Sequence, residues 1–142
     1  MQDMTSEEYR RFLMDSVRTG KLATVRADGR PHVVPIWYVM DGDDLIFNTW
    51  HTSVKAKNMR RDPRVAMSID EEQPPFSFVM IEGEVELLEL PPEELLPWAT
   101  QIGARYMGEE LGEQFGQRNG VEGELLVRLK PSKIIAKKNV SD

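Results

Sequence analysis

The sequence contains no cysteine among its 142 residues. This absence excludes disulfide scaffolds, cysteine-ligated zinc, iron–sulfur clusters and a cysteine nucleophile. Histidine is nearly as scarce. Only His32 and His51 are present, and neither stands at metal-ligand spacing from a carboxylate, so we expect no metal site. Long apolar runs are missing too. The longest, residues 33–40, is too short to cross a membrane and is interrupted by Pro35.

Nucleotide-binding and hydrolase motifs are equally absent. The chain has no G-x-G-x-x-G, P-loop or G-x-S-x-G pattern, which disfavours Rossmann and Walker-type nucleotide binding and the serine hydrolase elbow. The first residues are polar and acidic rather than apolar, so we expect no export signal and a cytoplasmic protein. The overall composition, 40% hydrophobic and 30% charged, is typical of a globular domain.

Charge is unevenly spread along the chain. The formal net charge is −6, which argues against nucleic acid as a partner. Residues 55–64 nevertheless hold five basic side chains and one acidic one. A compact basic segment in an acidic protein indicates a small anionic ligand rather than a long polyanion.

Hydrophobic periodicity and turn residues predict one α+β domain, mainly β, spanning residues 1–142. A capping box at Thr5 and Glu8 begins a first helix that we expect to end at Gly20. Asp28 and Gly29 predict a hairpin turn, and Gly83 a bend. We expect strands at 21–27, 31–40, 45–49, 65–70, 76–90, 124–129 and 133–137, and helices at 54–62, 93–107 and 109–118. These form a barrel-like antiparallel sheet of roughly six or seven strands with flanking helices.

The strongest candidate binding feature is the start of the helix at 54–62. Two hydroxyl residues, Thr52 and Ser53, precede it, and free N–H groups at a helix N-terminus attract anions. Lys55 shares a helix face with Asn58, whereas Lys57 lies about 200° round from Lys55. This pattern fits a phosphate site. A solvated basic helix without a ligand would show the same pattern.

Two prolines four residues apart, Pro31 and Pro35, lie on one side of a strand. Neither can donate to a ladder, so the strand must be at an edge, bulged or interrupted. The interruption would free backbone groups for a ligand, and Ile36 and Trp37 could flank a flat ring. For Tyr38 we favour a place in the core or an interface, while Trp37 remains open between the two interpretations.

An ordered set of motifs resembles the pyridoxamine 5′-phosphate oxidase-like split β-barrel superfamily. It consists of GKLATV at 20–25, DGRPH at 28–32, VPIW at 34–37, TSVKAKN at 52–58, RRDPRV at 60–65, GEV at 83–85 and KPSK at 130–133. Within the superfamily the chain is most similar to the flavin/deazaflavin oxidoreductase B group, which uses the coenzyme F420. The vitamin B6 oxidase is a poorer match, because its C-terminal substrate-binding signature is missing here.

The resemblance implies a dimeric split β-barrel that binds F420 in a groove between two subunits and reduces small conjugated acceptors. It places cofactor-binding residues at the start of the basic helix (Thr49, His51, Thr52, Ser53, Val54, Lys55, Lys57 and Asn58), along the second strand (Val34, Pro35, Ile36 and Trp37), near the ring (Phe76, Ser77 and Phe78) and in the C-terminal helical region (Trp98 and Arg105). It assigns no catalytic acid or base. FMN in place of F420, or a non-catalytic protein that binds flavin, F420 or haem, are the alternatives.

Overall fold

The computed structural model describes residues 1–142, and an eight-stranded antiparallel sheet is its main element. The strands are β1 (Gln2–Asp3), β2 (Gly20–Val25), β3 (Pro31–Ile36), β4 (Val39–Asp41), β5 (Asp44–Trp50), β6 (Arg64–Glu71), β7 (Ser77–Leu88) and β8 (Glu124–Lys138). Their order is β3-β2-β6-β7-β8-β5-β4, and β1 pairs with the far end of β8.

The two ends of the sheet lie near each other because its two outer strands are consecutive in the chain, although no hydrogen-bond ladder joins them. β3 and β4 end the strand order, yet only Trp37 and Tyr38 separate them. A two-residue connection forces the two ends of the sheet together, as in a barrel. Alternate residues of the strands then point inward, and Phe47, Met67 and Ile81 belong to a cluster of 16 buried side chains that fills the interior.

Four helices flank the barrel: α1 (Ser6–Met14), α2 (Val54–Arg61), α3 (Pro92–Met107) and α4 (Glu109–Asn119). The capping box that starts α1 is present, with Thr5 and Glu8 exchanging hydrogen bonds. α2 covers one end of the barrel and inserts Met59 into the interior cluster. α3 packs on the outer face of β4, β5 and β8, where Leu95 and Ile102 meet a second apolar cluster. None of the helices is long and apolar enough to cross a membrane.

The strand predicted over residues 31–40 is instead two strands, because side chains replace the ladder at Tyr38. The Tyr38 N–H donates to the Tyr106 hydroxyl, and the Tyr38 carbonyl accepts from Arg105. The phenol is fully buried and donates to the Leu13 carbonyl at 2.6 Å. The prolines therefore lie on an edge strand that is also interrupted, and the prediction that Tyr38 belongs to the core is confirmed.

Other boundaries differ in ways that depend on distant partners. The first helix ends at Met14 and not at Gly20, which begins β2. The two predicted C-terminal strands are one strand, β8, which bends where its register with β7 shifts beside Gly83. The irregularity predicted at Gly83 is a register shift in which the extra residue, Ser132, belongs to β8, and a Cβ at Gly83 would overlap the carbonyl oxygen of Lys130. β1 was not predicted.

Candidate anion-binding site

A paired hydroxyl cap fixes the junction between β5 and α2. Ser53 is the N-cap residue, and its Oγ accepts from the Ala56 N–H at 3.1 Å. The buried Thr49 hydroxyl shares a 2.8 Å hydrogen bond with the same Oγ. Because both hydroxyls serve the cap, Thr49 and Ser53 position the first turn and leave ligand contacts to their neighbours.

The first turn leaves several donors without a partner in the protein. The N–H groups of Val54 and Lys55 precede the first possible intrahelical acceptor, and no other backbone group accepts from them. The Thr52 hydroxyl is exposed and forms no hydrogen bond. Lys55 is half-buried, and its ammonium forms neither a hydrogen bond nor an ion pair. These donors all belong to residues 52–55, and an anion bound at this turn would accept hydrogen bonds from its free N–H groups.

Burial and one carboxylate tune the Lys55 ammonium. Burial lowers the Lys55 pKa, while the nearby Glu124 carboxylate raises it. Glu124 is itself held by the Asn48 amide, which donates to its Oε2 at 3.0 Å. Burial raises the Glu124 pKa, and the Asn48 hydrogen bond and the charges of Lys55 and His51 oppose that shift. A bound anion would replace the solvent that Lys55 has lost.

His51 lies beside the same junction with its ring fixed. Its Nδ1 is 2.9 Å from the Gly123 carbonyl oxygen. A carbonyl oxygen only accepts, so Nδ1 carries a proton and Nε2 points elsewhere. Trp50 packs against His51 with ring centroids 4.8 Å apart and is 45% exposed. This histidine can therefore present Nε2, as an acceptor when neutral, to a molecule bound near the junction.

Lys57 faces a different side of α2 from Lys55, and Asn58, predicted to share a helix face with Lys55, is instead buried against β2. Asn58 is buried, donates from Nδ2 to the Thr24 hydroxyl at 3.0 Å and accepts from Arg61 at 3.2 Å. Its carboxamide therefore fastens α2 to β2. Lys57 is exposed and lines a cavity with Asn58 and Arg61. Lys55 and Lys57 diverge, as the helical spacing predicts.

The predicted ring-binding strand has two unlike faces. Val34 and Ile36 pack into the barrel interior, whereas Pro35 is exposed. Trp37 is half-buried and stacks on Tyr106, with centroids 5.1 Å apart and planes 2° from parallel. The structure therefore leaves the backbone, Pro35 and one edge of Trp37 for a ligand.

Residues 76–78 lie far from that strand within one chain. Phe78 pairs with Asp70 and Lys137, and β7 is separated from β3 by β2 and β6. Three strand spacings amount to about 14 Å. Phe76 is 39% exposed and has a left-handed φ of 61°. The structure does not bring Phe76, Ser77 and Phe78 together with residues 34–37.

Trp98 and Arg105 lie on α3, where they hold elements together. Trp98 packs in the cluster that contains Trp37 and Tyr106. The Arg105 guanidinium donates to three carbonyl oxygens, those of Tyr38 at 2.5 Å, Leu13 at 2.9 Å and Ser16 at 3.0 Å. It thereby joins α1, α3 and the β3–β4 connection, and this role accounts for the residue without a ligand.

The sequence reasoning missed Asn48, Glu124 and the two arginines of the β2–β3 hairpin. Asn48 is a polar residue that directly follows the apolar run 45–47 of β5, which is a usable signal. Its partner Glu124 is 76 residues away, so the pairing required the fold. Arg26 and Arg30 flank the turn of the hairpin and could have been noticed as two more cations near the basic helix.

Comparison with known proteins places these features in context. A family model described as pyridoxamine 5′-phosphate oxidase matches residues 5–138. A conserved hypothetical protein from Mycobacterium tuberculosis is 29% identical, with 97% of this chain and 87% of that chain covered and a TM-score of 0.83. An F420 reductase is 26% identical over 87% of this chain and 94% of that chain, with a TM-score of 0.67. The haem storage protein of Vibrio cholerae, 21% identical over 98% of this chain and 100% of that chain with a TM-score of 0.74, shares the fold.

Proposed function

Because the chain belongs to the pyridoxamine 5′-phosphate oxidase family, in which the barrel serves redox cofactors, we propose that it is an F420-dependent oxidoreductase. Its acceptor would be a small conjugated organic molecule. The observation that carries the proposal is the first turn of α2, where the N–H groups of Val54 and Lys55 and the Lys55 ammonium have no partner in the protein. The F420 reductase, similar along most of both chains, supports F420 over FMN.

The donors present fit a phosphate group. A phosphate offers several acceptor oxygens with negative charge, and the first turn offers a hydroxyl at Thr52, the N–H groups of Val54 and Lys55, and the Lys55 ammonium. The positive end of the helix dipole adds to the attraction. The cap formed by Thr49 and Ser53 holds these donors in place before the ligand arrives, which lowers the entropic cost of binding.

When bound and reduced, F420 supplies a hydride. The chain's own residues would bind and orient the cofactor and the acceptor and would exclude water from them. The α2 turn anchors the phosphate, and the exposed backbone and Pro35 side of β3 provide a flat surface for the ring. Trp37, held by its stack on Tyr106, limits how far the ring slides along β3. We assign no catalytic acid or base.

We propose further that the binding groove forms between two copies of the chain. Residues 76–78 are about 14 Å from residues 34–37 within one protomer, so they would approach one ring only across an interface. The outer face of β2, β3, β6 and β7 suits such an interface. It carries Val33, which is 62% exposed, and a shallow groove of about 450 Å³ lined by small apolar residues such as Ala23 and Ala66 together with the charged Arg64, Glu82 and Glu84.

The direct test is a titration of the purified protein with F420 and with FMN, using the Lys55→Gln variant and Lys133→Gln as the matched control. Lys133 is an exposed lysine without an ion pair. We expect F420 to bind more tightly than FMN. Lys55→Gln should weaken F420 binding about tenfold or more, because it removes a charge-assisted hydrogen bond of roughly 1.5–3 kcal/mol. Lys133→Gln should bind as the parent does.

Stability measurements separate a binding defect from a folding defect. Since burial opposes the charge on Lys55, Lys55→Gln should unfold at the same or a slightly higher denaturant concentration. If Lys55→Gln binds F420 as tightly as the parent, Lys55 does not bind the phosphate of the cofactor. Tighter binding of FMN than of F420 would show that FMN is the cofactor. Binding of F420 without turnover of quinones or enones would show that the protein carries the cofactor and is not an enzyme.

A further inference from the structure

A second concave surface on α2 is lined by cations. A cavity of about 330 Å³ lies between the β2–β3 hairpin and the outer side of the helix. Its walls include Arg26, Arg30, Lys57 and Arg61, and Asp28 is the single acidic residue among them. This excess of positive charge occurs in a protein whose net charge is −6, so it does not reflect a generally basic surface.

Two tight local structures bring these cations together. The hairpin turn, with Gly29 at φ 87°, is closed by the Arg26 N–H donating to the Arg30 carbonyl at 2.9 Å. Both arginine side chains therefore leave from the same end of the hairpin. On α2, Lys57 and Arg61 are four residues apart and share one face. Because Asn58 fastens that helix to Thr24 of β2, the two sets of charges are held opposite each other.

The four cations differ in the hydrogen bonds and ion pairs that they form within the protein. Arg30 forms an ion pair with Asp28 at 2.8 Å. Arg61 donates to the Val25 carbonyl at 3.1 Å and to Asn58. Arg26 and Lys57 form no side-chain hydrogen bond and no ion pair. Asp28 is the only counter-charge among four cations, so the excess positive charges repel one another, and a bound anion would relieve that repulsion.

This cavity adjoins the first turn of α2, since Val54 lines it, but it lies on the side of the helix away from the Lys55 side chain. Lys55 is half-buried on the opposite side of the helix and lies near Glu124, whereas Lys57 is exposed in the cavity. One small anion cannot contact both lysines, because they point in directions about 200° apart on an ideal helix. The helix therefore presents an anion-binding turn on one side and a cationic cavity on the other.

We propose that this cavity is a second anion-binding site that takes a chain of two or more carboxylates or phosphates. The free cations, Arg26 on the hairpin and Lys57 on the helix, stand on facing walls, so one ligand must present at least two charges to engage both. Such a chain has two sources: an acidic extension of the cofactor bound at the first turn, or a separate polyanion. The first source rests on the proposed function, and the site itself does not.

Calorimetry on the full chain tests the site, with tripolyphosphate and orthophosphate as probes. The test variant is Arg26→Gln with Lys57→Gln, and the matched control is Arg118→Gln with Lys133→Gln, which removes the same charge from exposed residues elsewhere. We expect wild type to bind tripolyphosphate more tightly than orthophosphate. The test variant should weaken tripolyphosphate binding about tenfold or more, and the control less than about twofold.

Three results would overturn the proposal: equal tripolyphosphate affinity in wild type and the test variant, equal weakening in the control, or the same loss in Lys55→Gln. The last would mean that the two sites are one. Titrations with F420 that carries its oligoglutamate tail, and with F420 from which the tail has been removed, distinguish the two sources of the acidic chain. If the test variant loses affinity only for F420 that carries the tail, the site binds the acidic extension of the cofactor. If its affinity for both forms of F420 changes equally, the site binds a separate polyanion. Absence of F420 binding with tripolyphosphate binding intact would remove the proposed function and leave this site.

Discussion

Lys55 and Arg105 are both basic residues that the sequence places near a ligand, and their surroundings in the fold are opposite. The Lys55 ammonium has no partner, whereas the Arg105 guanidinium has three carbonyl partners. A half-buried cation without a partner is available to bind an anion, whereas a cation whose hydrogen bonds are all made within the protein is not. The contrast gives the two residues different expected phenotypes.

Arg105→Ala should destabilise the protein without a specific effect on cofactor binding. The substitution leaves the Tyr38 carbonyl oxygen without a donor and removes one of the two donors to the Leu13 carbonyl oxygen, and the expected loss in the free energy of unfolding is about 3 kcal/mol. Arg118→Ala, at an exposed position on α4, is the control and should change it by less than about 0.5 kcal/mol. Denaturant unfolding measures both. An Arg105→Ala variant that is as stable as the parent but binds F420 more weakly would show that Arg105 contacts the ligand.

At the scale of elements, glycines decide how α3 and α4 pack. Gly103 on α3 and Gly112 and Gly116 on α4 allow the two backbones to approach closely. A Cβ at Gly116 would stand 2.9 Å from the Thr100 Cα, and a Cβ at Gly112 would stand 2.8 Å from the Ala104 Cβ. These distances are shorter than normal contacts, so the helices would have to separate.

Gly116→Ala should therefore lower stability even though alanine is the better helix former. Helix propensity alone would add about 0.5–1 kcal/mol. Overlap with the α3 backbone should outweigh that gain and give a net loss of about 2 kcal/mol in the free energy of unfolding. Glu113→Ala on the exposed side of α4 is the control, with no loss expected. A Gly116→Ala variant more stable than the parent would show that the interhelical contact is looser than the structure indicates.

Local signals in the sequence predicted the elements that depend on near neighbours. The caps at Thr5 and Ser53, the turn at Gly29 and the bend at Gly83 each involve residues close in the chain, apart from the strand opposite Gly83. The break at Tyr38 was outside the reach of such signals. It depends on Tyr106 and Arg105, which are 68 and 67 residues away.

The candidate site divides in the same way. Its anion-binding turn follows from a short segment, 52–58, and was predictable from hydroxyl and lysine positions alone. The environment of Lys55 was not, because Glu124 reaches it from the start of β8. The opposing charges of the cationic cavity were also unpredictable, since only the folded β2–β3 hairpin sets Arg26 across from Lys57.

At the scale of the whole molecule, the exposed outer sheet face predicts self-association. Val33→Glu should raise the dimer dissociation constant by at least about tenfold, because a buried charge without a partner is costly in an interface. Val17→Glu is the matched control, since Val17 is 58% exposed in the loop after α1. Light scattering after size-exclusion chromatography distinguishes the species. A monomeric parent, or equal dissociation of both variants, would contradict this interface.

The prolines of β3 also limit strand addition at this edge of the sheet. Residues that alternate along a strand point their N–H groups to opposite sides, and neither Pro31 nor Pro35 can donate to β2. The outward-facing amide positions of β3 are therefore 31, 33 and 35, of which only Val33 carries a hydrogen. An incoming strand from another chain would find one donor where it needs three. A strand from another chain therefore cannot form a regular ladder with β3 along this edge of the sheet.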